Sequence, residues 1–507
     1  MAVDVTSSLD DPWRGELDPG RGYKLLIGGE FVDGGDGETF ECEYPFNGEP
    51  WGQVPIATAD DVDRAVRAAR LAFEDGWSRT KPFERAALLR RLADLIVEDA
   101  DNLGLLQVHE NGKLLTEMSG TGHGVARLTH FMAGLAETTH GYTSQSNVDN
   151  MVSYTLREPI GVVAAITPWN SPLVLLAYKL MPALAAGNTV VIKPSEVTPN
   201  STLRLGELCM KAGFPPGVVN VVAGLGASTG AALVEHPQVD RIAFTGSTAT
   251  GQAIARVAAG RTARVSLELG GKSPNIVFDD ADLDLAVGGV MTGIFSASGQ
   301  SCMAGSRILV QESIGDDFFD ELARRIGNLR LGDPLDPATQ ISPLASRAQL
   351  AKVLSYIEIA KSGGATTLVG GDRASEPELA RGFFVRPTIF TDVSNDDRVA
   401  REEIFGPVGA VIRFKDEDDA VRLANDTPYG LAGAIWTENL RRAHRMIPRI
   451  RGGSIWVNNY RIGEYMRPFG GFKQSGMGRE MGIDALHEYT ENKSVFIDLG
   501  NALPFGR

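Results

Sequence analysis

Between residues 59 and 74 the chain reads ADDVDRAVRAARLAFE, and Val62, Val66, Ala69 and Phe73 recur at helical spacing among charged positions. That pattern predicts an amphipathic helix with one buried face. The stretch PFERAALLRRLADLIVED, starting at Pro82, repeats it, so two amphipathic helices are expected to open the fold. From residue 160 the texture changes. IGVVAAIT, NTVVIKPS, GVVNVVAG, DRIAFTGS and RVSLELGG are apolar runs separated by helical stretches, as parallel strands covered on both faces would be. A second series follows, NIVF, RILV, VGAVIRF, GAIWT and SIWVN, alternating with helical segments such as 282–296 and 438–450. An α/β protein with two parallel-sheet units is expected. Two further segments, TSQSNVDNMVSYTLREP (143–159) and NKSVFIDL (492–499), read as strands outside either sheet, available to pair with a neighbouring subunit's edge. No internal repeat or low-complexity tract interrupts the pattern.

Length and composition narrow this picture. At 507 residues, with 43% hydrophobic and 22% charged positions and 58 glycines, the chain should form two or three domains with tight strand-to-helix turns. The net charge of -15 repels polyphosphate, and no basic stripe offsets it, so nucleic acid is excluded as a partner. The three cysteines, Cys42, Cys209 and Cys302, are too few and too odd in number for a disulfide framework, which implies a reducing compartment. The acidic start MAVDVTSSLDDPWRGELD lacks the basic and apolar regions of a signal peptide, and no later run is long enough to cross a bilayer. A cytoplasmic protein with no membrane contact is expected. The seven histidines show no metal-ligand spacing, so no metal is predicted.

The candidate chemistry lies at strand ends. TPWN (167–170), KPSE (193–196) and FTGSTATG (244–251) each fall where an open α/β sheet binds ligands, beyond the carboxyl end of a strand. GSTATG brings backbone N–H groups toward a phosphate, although it also reads as a turn glycine followed by a serine N-cap. In KPSE the lysine can donate to one ribose hydroxyl and Glu196 can accept from the diol; a solvated surface pair is the alternative. GGKS (270–273) is not a nucleotide-triphosphatase loop, because Ser266 stands where its first glycine belongs. Glu268 ends an apolar strand before two glycines, where burial would raise its pKa toward the range of a general base. Cys302 sits among Ser301, Ala304, Gly305 and Ser306, small neighbours expected to leave a reactive thiolate accessible. Cys42 and Cys209 look structural.

Taken in order, PWN, KPSE, FTGS, LELGGKSP, GQSCMAGSR, EEIFGP and PFGGFKQSGMGRE closely resemble the NAD(P)-dependent aldehyde dehydrogenase superfamily over essentially the whole chain. The resemblance implies a Rossmann-like parallel-sheet cofactor domain over 1–137 and 158–271, and a second α/β catalytic domain over 272–473. It also implies a small β oligomerisation arm from 138–157 and 487–507, with 474–486 connecting, and a homodimer or homotetramer. By the same match, Cys302 attacks the aldehyde carbon, and the thiohemiacetal loses hydride to leave a thioester. Glu268 activates the deacylating water, Asn170 with the Cys302 N–H stabilises the oxyanion, and Glu480 relays protons.

Lys193 and Glu196 match cofactor-ribose contacts, Ser247 and the turn from Gly246 the approach to the pyrophosphate, and Glu403 and Phe405 the nicotinamide side. Ile166, Thr167, Pro168, Trp169, Ser195, Gly226, Gly230, Phe244, Leu269 and Gly270 fall on further cofactor-binding positions of the family. A carboxylate at Glu196 would repel a 2′-phosphate, which favours NAD, with NADP as the alternative acceptor. The substrate pocket is expected to involve Ser171, Tyr178, Ser296, Ser301, Met303, Arg461, Gly463 and Phe469. Ser171, Ser296 and Gly463 replace bulk that aliphatic-aldehyde members carry, which implies a wider, wetter tunnel. Arg461 either faces its entrance and selects a carboxylate-bearing semialdehyde or is a surface arginine.

Three rivals are weighed against hydrolytic, non-acylating oxidation. A CoA-acylating semialdehyde dehydrogenase would use the same thiol but generally lacks the glutamate matched by Glu268. A catalytically silent member serving a structural role would not need Cys302, Glu268 and Asn170 together. A cysteine hydrolase would need a histidine base, and no histidine stands in a partner motif.

Overall fold

The computed structural model describes residues 23–500; residues 1–22 of the expected cofactor domain and 501–507 of the expected arm lie outside the described residues. The first sheet has eight strands, and five of them are the apolar runs read from the sequence. Val162–Ile166, Thr189–Lys193, Val219–Val221, Arg241–Thr245 and Arg264–Glu268 pair in parallel. The first four are buried at every position, which is why they read as continuous rather than alternating runs. Val162–Ile166 lies centrally, between Thr189–Lys193 and Arg241–Thr245. Strand order reverses there, and the two flanking connections leave toward opposite sides and open a crevice at the strands' carboxyl ends.

Both edges of this sheet carry strands the apolar runs did not announce. Leu25–Ile27 and Glu30–Val32 add an antiparallel hairpin on one side. Together with a separate hairpin, Thr39–Tyr44 and Glu49–Pro55, they precede the helices expected to open the fold. Three of them escape periodicity because LLI and EFV are three residues long and EPWGQVP holds two prolines and a glycine without alternation, whereas TFECEY does alternate. On the other edge, Gly476–Met477 pairs antiparallel with Leu267 and Glu268. The helices follow the pattern more closely. Ala59–Glu74 starts at a Thr58–Asp61 capping box and buries Val62, Val66 and Ala69, with Phe73 half-buried at its end. Pro82–Glu98 follows with proline in its first turn.

The second sheet runs in the order Thr366–Val369, Thr388–Thr391, Val408–Phe414, Arg307–Gln311, Pro274–Val277, Ala432–Trp436 and Ser454–Val457. All but the first are parallel to their neighbours. Five were expected; TTLV, half-exposed at the edge, and TIFT were not. Ile276 and Leu309 belong to one apolar cluster, and Val277, Ile308 and Val310 to another. Alternate side chains thus fill cores on opposite faces. The two segments expected outside the sheets pair with each other, as a nine-residue antiparallel ladder of Met151–Pro159 against Thr490–Asp498. Val152, Leu156, Phe496 and Ile497 on it are exposed.

Candidate active site

Cys302 is delivered by a turn of unusual backbone. The helix Leu283–Phe295, capped by Asp282, gives way to Ala297, Ser298 and Gly299, with φ of 53°, 51° and 72°. Holding a non-glycine residue there costs about 1–3 kcal/mol, so the surroundings must fix it. Ala297 N–H donates to Glu117 Oε1 at 2.8 Å, and Ser298 Oγ donates to the Ser342 carbonyl at 2.7 Å. A Cβ on Gly299 would fall 2.1 Å from the Gly406 carbonyl oxygen. Gln300, fully buried, accepts from Ala345 N–H at 2.8 Å, and its carbonyl accepts from Asn170 Nδ2 at 2.9 Å. Gly271 packs so closely that a Cβ would stand 2.3 Å from the Cys302 carbonyl oxygen, so GGKS is a close-packing element. Cys302 is half-buried. Burial, joined by the charges of Glu403 and Glu268 and opposed by Arg461, pushes its thiol up to about 12. The small neighbours leave the sulfur partly accessible, while burial favours its thiol form.

Glu268, 3% exposed, ends the strand Arg264–Glu268, and neither carboxyl oxygen has a hydrogen-bond partner among the described residues. Burial first, then the negative charge of Glu480, holds its carboxyl well above the ordinary range, against Lys179 and Arg479. A Cβ on Gly470 would lie 2.7 Å from Glu268 Oε1, so the PFGGF turn closes over the carboxyl. Glu480 is buried beside it. Its backbone is tied to Phe469 by paired N–H to carbonyl bonds of 2.6 and 2.8 Å, and its Oε1 meets Lys179 Nζ at 2.5 Å. Lys179 also donates to Thr245 Oγ1 at 2.5 Å. Tyr178, next to Lys179, stands 6.4 Å from Phe469 between ring centroids.

The crevice at the switch point gathers the other strand ends. Lys193 Nζ meets Glu196 Oε2 at 3.2 Å, and a Cβ on Gly226 or Gly230 would come within 3.9 Å of Glu196 Oε1 or Lys193 Cε. Burial raises the Glu196 pKa, but Lys193 and backbone N–H groups outweigh it and hold the group below its ordinary value. Thr167 N–H, just past Ile166, donates to the Lys193 carbonyl at 3.2 Å, and Ser195 Oγ accepts from Val197 N–H at 3.3 Å. Ser247 Oγ accepts from Thr250 N–H at 3.2 Å and caps the helix Thr248–Ala259. The Phe244 ring lies where a Cβ on Gly246 would be, 2.4 Å away, and Leu269 packs equally close over Gly251. Trp169, following Pro168, meets Phe405 edge-on at 5.1 Å. Phe405 has φ of 63°, and its carbonyl accepts from Gln349 Nε2 at 2.8 Å. Glu403 Oε1 accepts from Gly271 N–H at 2.9 Å, and burial raises its pKa; Gly270 has no room for a Cβ against the same carboxylate.

With this geometry in place, the chain was compared with known proteins. The pattern of the aldehyde dehydrogenase family matches residues 31–495. The chain belongs to the aldehyde dehydrogenase family. Its members are oxidoreductases. An aldehyde dehydrogenase of Emericella nidulans is 45% identical over 94% of this chain and 96% of its own length. A betaine aldehyde dehydrogenase of Bacillus subtilis is 42% identical over 93% of this chain and 96% of its own. The crystal structure of betaine aldehyde dehydrogenase from Staphylococcus aureus in complex with NAD+ superposes with a TM-score of 0.95 at 39% identity, covering 97% of each chain.

Two residues that no motif marked, Lys113 and Glu117, reach the segments beside Cys302. Lys113, buried, donates from Nζ to Ser171 Oγ at 2.9 Å, beside Asn170. Burial pushes Lys113 down to about 8. Arg461, with φ of 69°, reaches the Ser296 carbonyl from Nη2 at 3.4 Å. Ser301 is buried, Met303 half-buried, and Gly463 is open, a Cβ there meeting nothing within 4 Å. Lys113, Glu117 and Lys179 all lie on or beside helices far in sequence from Cys302. For Lys179 a signal existed: it is the one charged residue of the fifteen-residue helix Pro172–Ala186, and a lone lysine in an apolar helix calls for a buried partner. Among the described residues, no cluster of three or more His, Cys, Asp or Glu is placed to hold a metal, and no helix is long and apolar enough to cross a membrane.

Proposed function

We propose that this chain oxidises an aldehyde to the carboxylic acid by hydrolytic release from Cys302, with NAD as acceptor. The observation that carries the reading is the meeting of a half-buried thiol with an unpartnered, buried carboxyl, Glu268, close enough for the thiol to feel the carboxylate's charge. The residues at the crevice fit a dinucleotide. Glu196 Oε1 is left to a ribose diol while Oε2 holds Lys193, and the capped helix at Ser247 presents N–H groups to a pyrophosphate. The glycines at 226, 230 and 246 leave room for close backbone approach. A carboxylate at the ribose disfavours a 2′-phosphate, hence NAD over NADP.

The Cys302 sulfur bonds to the aldehyde carbon as its proton passes to Glu268 and on through Glu480. The oxygen, now negative, takes the second N–H of Asn170 Nδ2, whose first is fixed on Gln300, and the Cys302 N–H; one such donor is worth about 2.7–4 kcal/mol. NAD, when bound, supplies the hydride acceptor that turns the thiohemiacetal into a thioester. Glu268 then takes a proton from water as the water oxygen bonds to the thioester carbon. The carbon–sulfur bond breaks, the sulfur takes that proton back from Glu268, and the acid leaves with Cys302 a thiol again. Glu480, paired with Lys179, passes the first proton, the thiol's, from Glu268 onward.

The same reading divides the chain into a cofactor domain (to 137 and 158–271), a catalytic domain (272–473) and an arm from 138–157 and beyond 487. The exposed apolar residues of the ladder support a homodimer or homotetramer, and the three free cysteines support a cytoplasmic setting. The test is formation of reduced nicotinamide from an aldehyde panel, with NAD or NADP and with or without CoA. Turnover should need neither CoA nor metal, and Cys302→Ser should lose roughly 1,000-fold or more. Full turnover by Cys302→Ser ends the proposal.

A further inference from the structure

We infer that Lys113 and Arg461 form a two-point seat for an anion at the far end of the aldehyde, so that the preferred substrate is an oxo-carboxylate. This rests on Cys302 being the nucleophile. Lys113 feels the charge of Arg461, and the two are anchored on different segments near Cys302. Lys113 is held at Ser171, one residue from the oxyanion amide Asn170, and Arg461 is held at Ser296, where the turn leading to Cys302 begins. The charge of each is felt at the sulfur and at the other's partner, Glu117. Glu117 is the one carboxylate between them. Its Oε1 is taken by the Ala297 N–H, and neither cation forms an ion pair with a described residue. Arg461 Nε has no partner at all.

A buried lysine and a half-buried arginine sharing the charge of one carboxylate leave a net positive charge in a largely desolvated wall, which is costly unless a ligand completes it. A carboxylate does so best: Arg461 offers a planar fork from Nε and Nη2, and Lys113 offers a second point charge. A quaternary ammonium, the group that betaine aldehyde carries, would be repelled by the same pair. The open space at Gly463 and the exposed Ile462 beside it give a charged substrate a solvated way in.

The experiment compares kcat/KM for ω-oxo carboxylates of four to eight carbons with n-alkanals of equal length, and with betaine aldehyde. At the best length the acid should lead the alkanal by about 10- to 100-fold, the worth of a hydrogen bond to a charged group. Arg461→Met and Lys113→Met should each collapse that ratio, mainly through KM, and Arg461→Lys should restore part of it. A wild-type ratio near one at every length, or a ratio that neither Met variant moves, overturns the inference while leaving the oxidation intact. No reduced nicotinamide from any aldehyde overturns the proposed function itself. Should Lys113→Met fail to fold, adipate added to Cys302→Ser decides: it should raise Tm in a concentration-dependent way, and no rise, or an equal rise with Arg461→Met added, refutes the seat.

Discussion

The crevice at the first sheet's switch point and the cavity around Cys302 are built on opposite terms. In the crevice, charges are satisfied within the chain: Lys193 holds Glu196, and Ser247 caps its own helix. Around Cys302, one polar atom after another is buried without a partner, including both oxygens of Glu268, Oε2 of Glu117 and of Glu480, and Nε of Arg461. Buried polar groups normally find partners, so this concentration marks where the fold spends stability on poised groups. A crevice whose charges are paired, with only hydroxyls such as Thr167 Oγ1 and Thr248 Oγ1 left over, suits reversible binding. An unsatisfied cavity suits chemistry, because its groups gain most when charge moves.

Perturbations should therefore bite harder on the cavity side. The largest effect is expected from Glu268→Gln, which should slow steady-state turnover by about 100- to 10,000-fold while the first turnover still releases reduced nicotinamide as a burst. The pH dependence follows from the raised carboxyl of Glu268. Only its ionised form accepts a proton, so kcat should fall as pH drops through that raised value, and Glu268→Gln should erase this limb. A flat wild-type profile over about pH 6 to 9 would place the base elsewhere. Next, Lys179→Met leaves Glu480 charged and unpaired in the interior; a loss of about 3–5 kcal/mol is expected by urea unfolding. Asn170→Ala should cost about 2.7–4 kcal/mol in kcat/KM, with nucleotide affinity measured by fluorescence titration little changed. The mildest is on the crevice side. Glu196→Gln should narrow the preference for NAD over NADP by about tenfold, or 1.4 kcal/mol. A drop there as large as at Glu268 would erase the contrast between the two regions.

The two regions also differ in how far the sequence reveals them. Strands buried on both faces, such as VVAAI and TVVIK, are legible as apolar runs, and the ligand positions at their ends follow from sheet geometry. Lys193, Glu196, Ser247, Glu268 and Cys302 were singled out this way and through the family's motifs, and the structure places them at the crevice and the cavity. Edge strands such as TTLV and EFV were not, because half-exposed runs of three or four residues carry no usable period. The cavity's walls were only partly legible. Lys113, Glu117 and Lys179 arrive by helix packing across large sequence separations, and only Lys179, isolated in an apolar helix, left a trace. The burial that raises the Cys302 thiol was not legible for the same reason, nor were the carboxylates that add to it, Glu403 and Glu268, which come from other strands and loops.

Gly476 seals the first sheet's edge against Leu267, with no space for a Cβ, 2.3 Å from that residue's carbonyl oxygen. Four residues later the same strand of chain carries Glu480, and the helix Gly482–Glu488 then leads straight into the exposed ladder. This single short leash joins edge closure, the carboxylate beside Glu268, and the outermost surface of the molecule. Engineering that loosens it for activity will be felt as fragility, and engineering that stiffens the surface will be felt in the chemistry.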